Sequence, residues 1–417
     1  MQRKPNIILI VADDMGYGDC GCYGAKTIDT PHIDALATAG LRFTDFHANG
    51  AVCSPTRAAL LTGRYQQRSG IEGVISAANH RHLGLPVGEV TFADLLQAGG
   101  YQTALFGKWH LGYEALFNPR RRGFDEFRGF VSGNIDYHSH IDQIGAADWW
   151  LDEGLVPEDG YTTDLVTQHG IRFMREQHNA PFCLYLAHEC PHYPYQGPTD
   201  TAYRTPGCAA PIQGPRQDKM QAYKEMMEAM DAGIGAVVET VKALGLERDT
   251  LIFFFSDNGP AGPGSAGPLR GKKGSVWEGG HRVPALACWP GVIPAGSATA
   301  VPAMGMDLLP TMMAAAGLAR PANLVLDGEN LLPLMQGNGS TFKRPLFWRF
   351  NQQQAVRLDQ WKLVINGAGA RGVELFDLDH DLAEAHNIAS EHGEMVTHMQ
   401  HLLAGWEREF TSEQRLT

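Results

Sequence analysis

The run NIILIVADD, residues 6–14, constrains the fold more than any other stretch of the 417-residue chain. Ile7 to Ala12 are apolar without interruption, so the segment has no face to offer water. It is too short for an ordinary buried helix. It reads as a parallel strand covered on both sides and closed by Asp13 and Asp14. The runs FCLYLA at 182–187 and LIFFFSDNG at 251–259 repeat the pattern. Helix signals lie between them. In TPHIDALATAG, Thr30 reads as the N-cap, Pro31 as the first helical residue and Gly40 as the stop. LRFTDFHA reads as a strand, and TFADLLQAGG then YQTALFG as helix and strand. A long helix is expected from about Lys219 to Leu244. This alternation predicts an α/β fold with a mainly parallel central sheet and helices on both faces.

The tail differs. PLFWRF, QAVRL, WKLVI and VELFDL are short strand signals, and residues near 391–410 form an amphipathic helix pattern. A small C-terminal antiparallel sheet with one helix is expected. The expected domains are 1–338 and 339–417, joined through the QGNGST loop.

A net charge of −12 argues against a general nucleic-acid binder. It also requires any anionic substrate to be met by a local cluster of cations. The seven cysteines, at 20, 22, 53, 183, 190, 208 and 288, lack the spacing of a zinc site or a disulfide framework. No stretch is long enough to span a membrane, and no small-residue cleavage site follows NIILIVA. The sequence as given is therefore expected in the cytoplasm, or in the periplasm or outside the cell if a leader has been removed.

Ligands of open α/β sheets gather beyond the carboxyl ends of the strands. Two strands end there in paired oxygen donors, Asp13–Asp14 and Asp257–Asn258. One such pair is common as a turn cap. Two pairs at equivalent ends suit a hard cation, Ca²⁺ or Mg²⁺. FGKWHLG places Lys108 and His110 after a strand, and ECPHYPYQ places His192 between prolines. RGKKGSVWEGGHRVP carries Lys273 and Arg282 in a glycine-rich loop. In AVCSPTRAALLTGR, Cys53 opens a short helix with Arg57 at i+4 on the same face. A helix N-terminus is electropositive and offers free N–H groups, so Cys53 would occupy an anion-binding position beside a guanidinium.

Taken in order, these motifs resemble the type I sulfatases of the alkaline-phosphatase-like superfamily. CSPTR followed by AALLTGR resembles their C-x-P-x-R signature, and PNIILIVADDMGYGD their opening. GKWHLG resembles their middle motif, SDNG their second metal motif, and LRGKKGSVWEGGHRVP their late lysine loop. WKLV and ELFDLDHD resemble their C-terminal sheet, so the resemblance covers nearly the whole chain. It implies that a formylglycine-generating enzyme or an anaerobic sulfatase-maturing enzyme oxidises Cys53 to formylglycine. It implies one Ca²⁺ held by Asp13, Asp14, Asp257, Asn258 and an oxygen of residue 53. One hydroxyl of the hydrated aldehyde would attack sulfur, and His192 would protonate the leaving oxygen. Lys108 and Lys273 would offset charge on the sulfate, Arg57 would hold the nucleophile, and His110 would take the proton from the second hydroxyl. The segment CPHYPYQ favours His192 over His188 as the acid.

The segment RRGFDEFRGFVSGNIDYHSHIDQIGAADWWLDEGLV resembles the arylsulfatase B branch, which removes 4-sulfate from galactosamine. This implies a sulfated, galacto-configured saccharide, with Tyr137, His138, Trp149, neighbouring Trp150 and Arg282 as candidate sugar contacts. Two other readings compete. A phosphate or phosphonate ester hydrolase on this scaffold would need another nucleophile or a second metal. A non-catalytic, Ca²⁺-dependent binder of sulfated glycans would leave Cys53 unmodified.

Overall fold

The structure, a computed structural model, describes residues 4–208, 210–339, 343–369 and 371–413. Its large sheet contains β1 (Asn6–Ala12), β2 (Leu41–His47), β3 (Gln102–Lys108), β4 (Glu126–Phe130) and the short β5 (Trp150–Leu151) and β6 (Gly154–Leu155). It continues with β7 (Phe182–Ala187), β8 (Thr250–Ser256), β9 (Arg282–Cys288), β10 (Ser297–Thr299) and β11 (Ala303–Met304). The order across the sheet is β10-β2-β9-β8-β1-β7-β3-β4-β5-β6, with β11 also paired to β2. β1 lies at the centre, parallel to β7 from Ile7↔Cys183 to Val11↔Ala187 and to β8 from Asn6↔Thr250 to Ala12↔Ser256. Every residue of these three strands is buried, which is why their sequences show no alternation. The registers bring their carboxyl ends to one edge, so Asp13, Asp14, His188, Asp257 and Asn258 leave the sheet together.

The helices are α1 (Pro31–Ala39), α2 (Cys53–Thr62), α3 (Phe92–Ala98), α4 (Thr162–Gln177), α5 (Lys219–Ala243), α6 (Glu278–His281), α7 (Leu308–Ala315), α8 (Leu332–Met335) and α9 (Gly393–Glu413). Alternate residues of β1 point into two cores, as strand geometry demands. Ile7, Leu9 and Val11 pack with α2, α3 and α7 on one face. Ile8 and Ile10 pack with α1, α4 and α5 on the other. Thr30 does not cap α1 with its side chain as expected. Asp231 of α5 does so instead, accepting from His32 N–H at 3.1 Å and Ile33 N–H at 2.8 Å. No helix among the described residues is long and apolar enough to cross a membrane.

β9 is a strand that pattern alone does not reveal, because Pro284 argues against a central strand. It runs antiparallel between β2 and β8. Its register with β2 shifts between Phe43 and Phe46, opposite Pro284, so the missing N–H falls at a bulge. Tyr23 fills the gap. Its hydroxyl accepts from Ala285 N–H at 2.9 Å and lies 2.6 Å from Phe43 O and 2.8 Å from Ala285 O. Tyr23→Phe removes these bonds, and urea unfolding should show a loss of about 1–3 kcal/mol at an unchanged m value. A loss below about 0.5 kcal/mol would show that strand pairing holds the bulge without the hydroxyl.

β12 (Leu346–Phe350), β13 (Gln353–Leu358), β14 (Trp361–Ile365) and β15 (Val373–Asp377) form a four-stranded antiparallel sheet in chain order. α9 covers it through Met399, Leu403, Trp406 and Phe410, and the same core takes in Ala59, Tyr65, Val276 and Met304. The expected junction at 337–341 lies partly outside the described residues. A buried polar seam joins the two sheets. Lys362 of β14 bonds Glu278 at 2.8 Å and pairs with Glu384 at 2.9 Å, and Glu278 also pairs with Arg282 at 3.2 Å.

Candidate active site

α2 begins where β1 and β8 end, and all ten of its residues are buried. Cys53 Sγ lies 3.4 Å from Asp13 Oδ1 and 3.2 Å from Lys273 Nζ. One turn on, Arg57 donates from Nε to Asp257 Oδ2 at 3.0 Å and from Nη1 to Lys108 O at 3.1 Å. Lys108 pairs with Asp13, and Lys273 bonds Asp14 Oδ1 at 2.5 Å. The loop carrying Lys273 is held from both sides. Gly274 N–H donates to Ala51 O at 2.8 Å. Gln353 of β13 donates to Gly274 O at 2.8 Å and accepts from Val276 N–H at 3.3 Å.

The neighbouring carboxyls titrate in opposite directions. Burial and the repulsion of Asp13 raise Asp257 to about 7, against Arg57 and Lys108. Burial also pushes Asp13 up, but Lys108, His192, Arg57 and Lys273 together hold it below the usual carboxylate range. The Cys53 thiol is pushed up to about 12 by burial and by Asp13, so it stays protonated near neutral pH. Asp14 Oδ2 and Asn258 Oδ1 are buried without a hydrogen-bond partner. Ligand atoms of Asp13, Asp14, Cys53 and His192 lie within 4.8 Å of one another. Unpartnered buried oxygens are costly, and the oxygen donors of Asp13, Asp14 and Asn258, rather than the Cys53 thiol or the His192 ring, suit a hard divalent cation.

A cleft of about 340 Å³ opens onto Cys53, His110, His192 and Lys273. His192 Nδ1 lies 2.5 Å from Tyr193 O, which leaves Nε2 facing Asp14 Oδ2 at 3.6 Å. Burial lowers His192 to about 4, opposed by Asp14 and Asp13. His110 Nε2 lies 3.2 Å from Ile75 O, and its buried Nδ1 has no partner. Burial, then Lys108 and Arg57, hold His110 well below the usual imidazole range. Gly133 packs on this ring, where a Cβ would sit 2.7 Å from Nε2. His188 is buried outside the cleft lining.

The expected sugar contacts do not border this cleft. Tyr137 is buried and donates to His192 O at 3.0 Å, so it supports the histidine from behind. His138 Nε2 lies 3.2 Å from Gly197 O. Trp149 stacks on His140 at 4.5 Å between ring centres and donates to Glu158 at 2.8 Å. Arg282 sits in the seam between the sheets, donating to Thr44 O at 2.6 Å and pairing with Glu278. In each case the aromatic face or charge is taken up by packing or pairing within the protein. The cleft is bordered instead by Tyr113, Asn134, Gln143 and Tyr193. Tyr113 and Tyr193 directly follow GKWHLG and CPH, a signal the sequence offered. Asn134 and Gln143 carry no comparable signal.

A buried oxygen cluster ringed by three cations, at the floor of an open cleft, defines a hydrolase of anionic esters. The family described as "Sulfatase" matches residues 5–318, and that described as "N-sulphoglucosamine sulphohydrolase, C-terminal" matches residues 272–409. Arylsulfatase A of Homo sapiens is 38% identical over 382 residues, covering 85% of this chain and 72% of that protein. N-acetylgalactosamine-6-sulfatase of Rattus norvegicus is 34% identical over 390 residues, covering 86% and 71%. The crystal structure of Ps i-CgsB in complex with k-i-k-neocarrahexaose superposes with a TM-score of 0.87 at 32% identity, covering 97% of this chain and 93% of that one. The chain belongs to the sulfatase family, as its motifs led us to expect, and is a sulfuric ester hydrolase.

Proposed function

We propose that this sulfatase removes a 4-sulfate from a galacto-configured saccharide, with Cys53 oxidised to formylglycine and one Ca²⁺ at the oxygen cluster. One observation carries the reading. Residue 53 lies in the cleft lining, 3.2 Å from Lys273 Nζ and 3.4 Å from Asp13 Oδ1, where a nucleophile would meet an anionic ester, and burial keeps its thiol protonated, which favours an oxygen nucleophile over sulfur there. In this reading the position takes the aldehyde oxidation state of the side chain, supplied by a formylglycine-generating or anaerobic maturing enzyme. Its hydrated aldehyde would bring two hydroxyls on one carbon, one to attack sulfur and one to release the product.

Asp13, Asp14, Asp257, Asn258 and residue 53 would hold the cation, which would polarise the sulfate oxygens. The remaining work falls to the protein's own side chains. Lys108 and Lys273 offset charge developing on the equatorial oxygens. Arg57 ties residue 53's helix to Asp257 and to the Lys108 backbone. His192 keeps its Nδ1 proton on Tyr193 O and presents Nε2 to the cleft. An anionic ester beside it favours the imidazolium, which then protonates the leaving oxygen. His110 carries its proton on Nε2 toward Ile75 O, so Nδ1 accepts the proton of the second hydroxyl.

His192→Ala is expected to lose about 10²–10⁴ in rate on a sugar sulfate, and much less on an aryl sulfate with a better leaving group. Equal losses on both would assign His192 to something other than leaving-group protonation.

A saccharide substrate is supported by relatives whose names or titles specify N-acetylgalactosamine and neocarrahexaose. The 4-position rests on the resemblance of residues 133–151 to the arylsulfatase B branch. Digestion of position-defined sulfated saccharides should release sulfate from galactose- or galactosamine-4-sulfate units in preference to 6-sulfated glucosamine. Release from 6-sulfated units alone would overturn the position and leave the sulfatase intact.

A further inference from the structure

Arg204 is 1% exposed and makes no salt bridge among the described residues, although its charge acts on the buried Glu189 carboxyl without bonding it. Its guanidinium is met by neutral oxygens. Nη2 donates to Asn134 Oδ1 at 2.7 Å, Nη1 to Ile141 O at 3.2 Å and Nε to Tyr203 Oη at 3.1 Å. Burying a charge on such partners is costly, so the arrangement calls for a reason.

The reason lies one residue further on. A guanidinium only donates, so the Asn134 carboxamide must present its oxygen to Arg204 and its NH₂ to the other side. On that side Asn134 Nδ2 donates to Gln143 Oε1 at 3.3 Å. Gln143 is oriented in turn, with its oxygen toward Asn134. Its Nε2 has no partner among the described residues. Asn134 and Gln143 both line the cleft that holds Cys53 and Lys273. The buried charge thus sets the polarity of two amides in series, and the wall they form offers N–H donors. Neutral donors suit the oxygen lone pairs of hydroxyls, while the sulfate is served by Lys108 and Lys273.

We infer that the Asn134–Gln143 pair reads the hydroxyl oxygens of the sugar that carries the sulfate, and that Arg204 is the positioning residue that orients the pair. This rests on the saccharide reading above. It supplies the specificity wall that Tyr137, His138 and Trp149 do not.

The test compares matured wild-type protein with Gln143→Leu, Arg204→Met and the double variant. The substrates are a 4-sulfated galactosamine oligosaccharide and 4-nitrophenyl sulfate, which has no sugar hydroxyls. Gln143→Leu should lose about tenfold in kcat/KM on the oligosaccharide, mainly through KM, and less than about twofold on the aryl sulfate. Arg204→Met should show the same substrate-selective loss, and little more when added to Gln143→Leu. Equal losses on both substrates, no loss on the oligosaccharide, or additive losses would overturn the inference. Gln143 is half-buried at the cleft edge, so its variant decides the wall even where Arg204→Met fails to fold. If wild-type protein cleaves only 6-sulfated saccharides, the 4-position falls, and the same ratio measured on those saccharides still decides the wall.

Discussion

Cys53→Ala should abolish turnover, by on the order of 10⁶-fold, and leave the protein folded. The large loss follows from the role of residue 53 as the only proposed nucleophile. The small structural effect follows from its surroundings. Sγ contacts Asp13 Oδ1 and Lys273 Nζ, and both groups keep other partners, Lys108 and Asp14. The melting temperature should therefore move by no more than about 5 °C. Sulfate release measures the first expectation, and calorimetry the second. Mass spectrometry of the peptide spanning 53–57 tells thiol from aldehyde in the parent protein. Turnover within tenfold of the parent by the alanine variant would remove residue 53 from the chemistry.

The second large effect is expected at the oxygen cluster. Asp14→Ala deletes one unpartnered buried oxygen together with the partner of Lys273. The proposed Ca²⁺ should no longer bind, and about 10³-fold or more of the activity should be lost with it, by analogy with the loss of a preorganised electrostatic group. Asp257→Ala should lose as much activity and also destabilise the fold. It leaves Arg57, itself 1% exposed, without the carboxylate that holds Nε at 3.0 Å. Breaking such a buried pair costs about 3–5 kcal/mol. Elemental analysis and denaturant unfolding separate the two effects. Zinc in the purified protein, or full activity after chelation, would contradict the assignment of a hard cation.

β1, β7 and β8 were legible because strands buried on both faces must be apolar throughout. The chemistry at their ends was legible for a related reason. Asp13, Asp14, Asp257 and Asn258 interrupt apolar runs abruptly, and nothing in a core explains them. Other features depend on partners distant in sequence. Thr30 had the right type and position for a cap, but Asp231 reaches α1 across the fold. The glycine-rich loop expected through Pro284 gives way to β9 at Arg282, and Tyr23 supplies the bonds at its bulge. Tyr137 and Trp149 were plausible sugar platforms by type. Burial decides whether an aromatic face is free, and theirs are not. Asn134 and Gln143 are small polar residues in loops, where no periodicity marks a role. Their orientation comes from Arg204, which is some 60 to 70 residues away.

The central position of β1 also has a consequence in time. Both of its neighbours come late, from residues 182–187 and 250–256, so β1 has no strand to pair with when Cys53 leaves the ribosome. The first neighbour begins about 130 residues after Cys53. At ribosomal rates of about 5–20 residues per second, that gap lasts roughly 6–26 s. In the finished fold Cys53 is 1% exposed and closed to another enzyme. If Cys53 is matured as proposed above, the order of the strands would act as a delay, keeping the CSPTR segment within reach of the maturing enzyme before the sheet shuts over it. A permuted chain that delivered β7 and β8 ahead of β1 would preserve the fold and lose the delay.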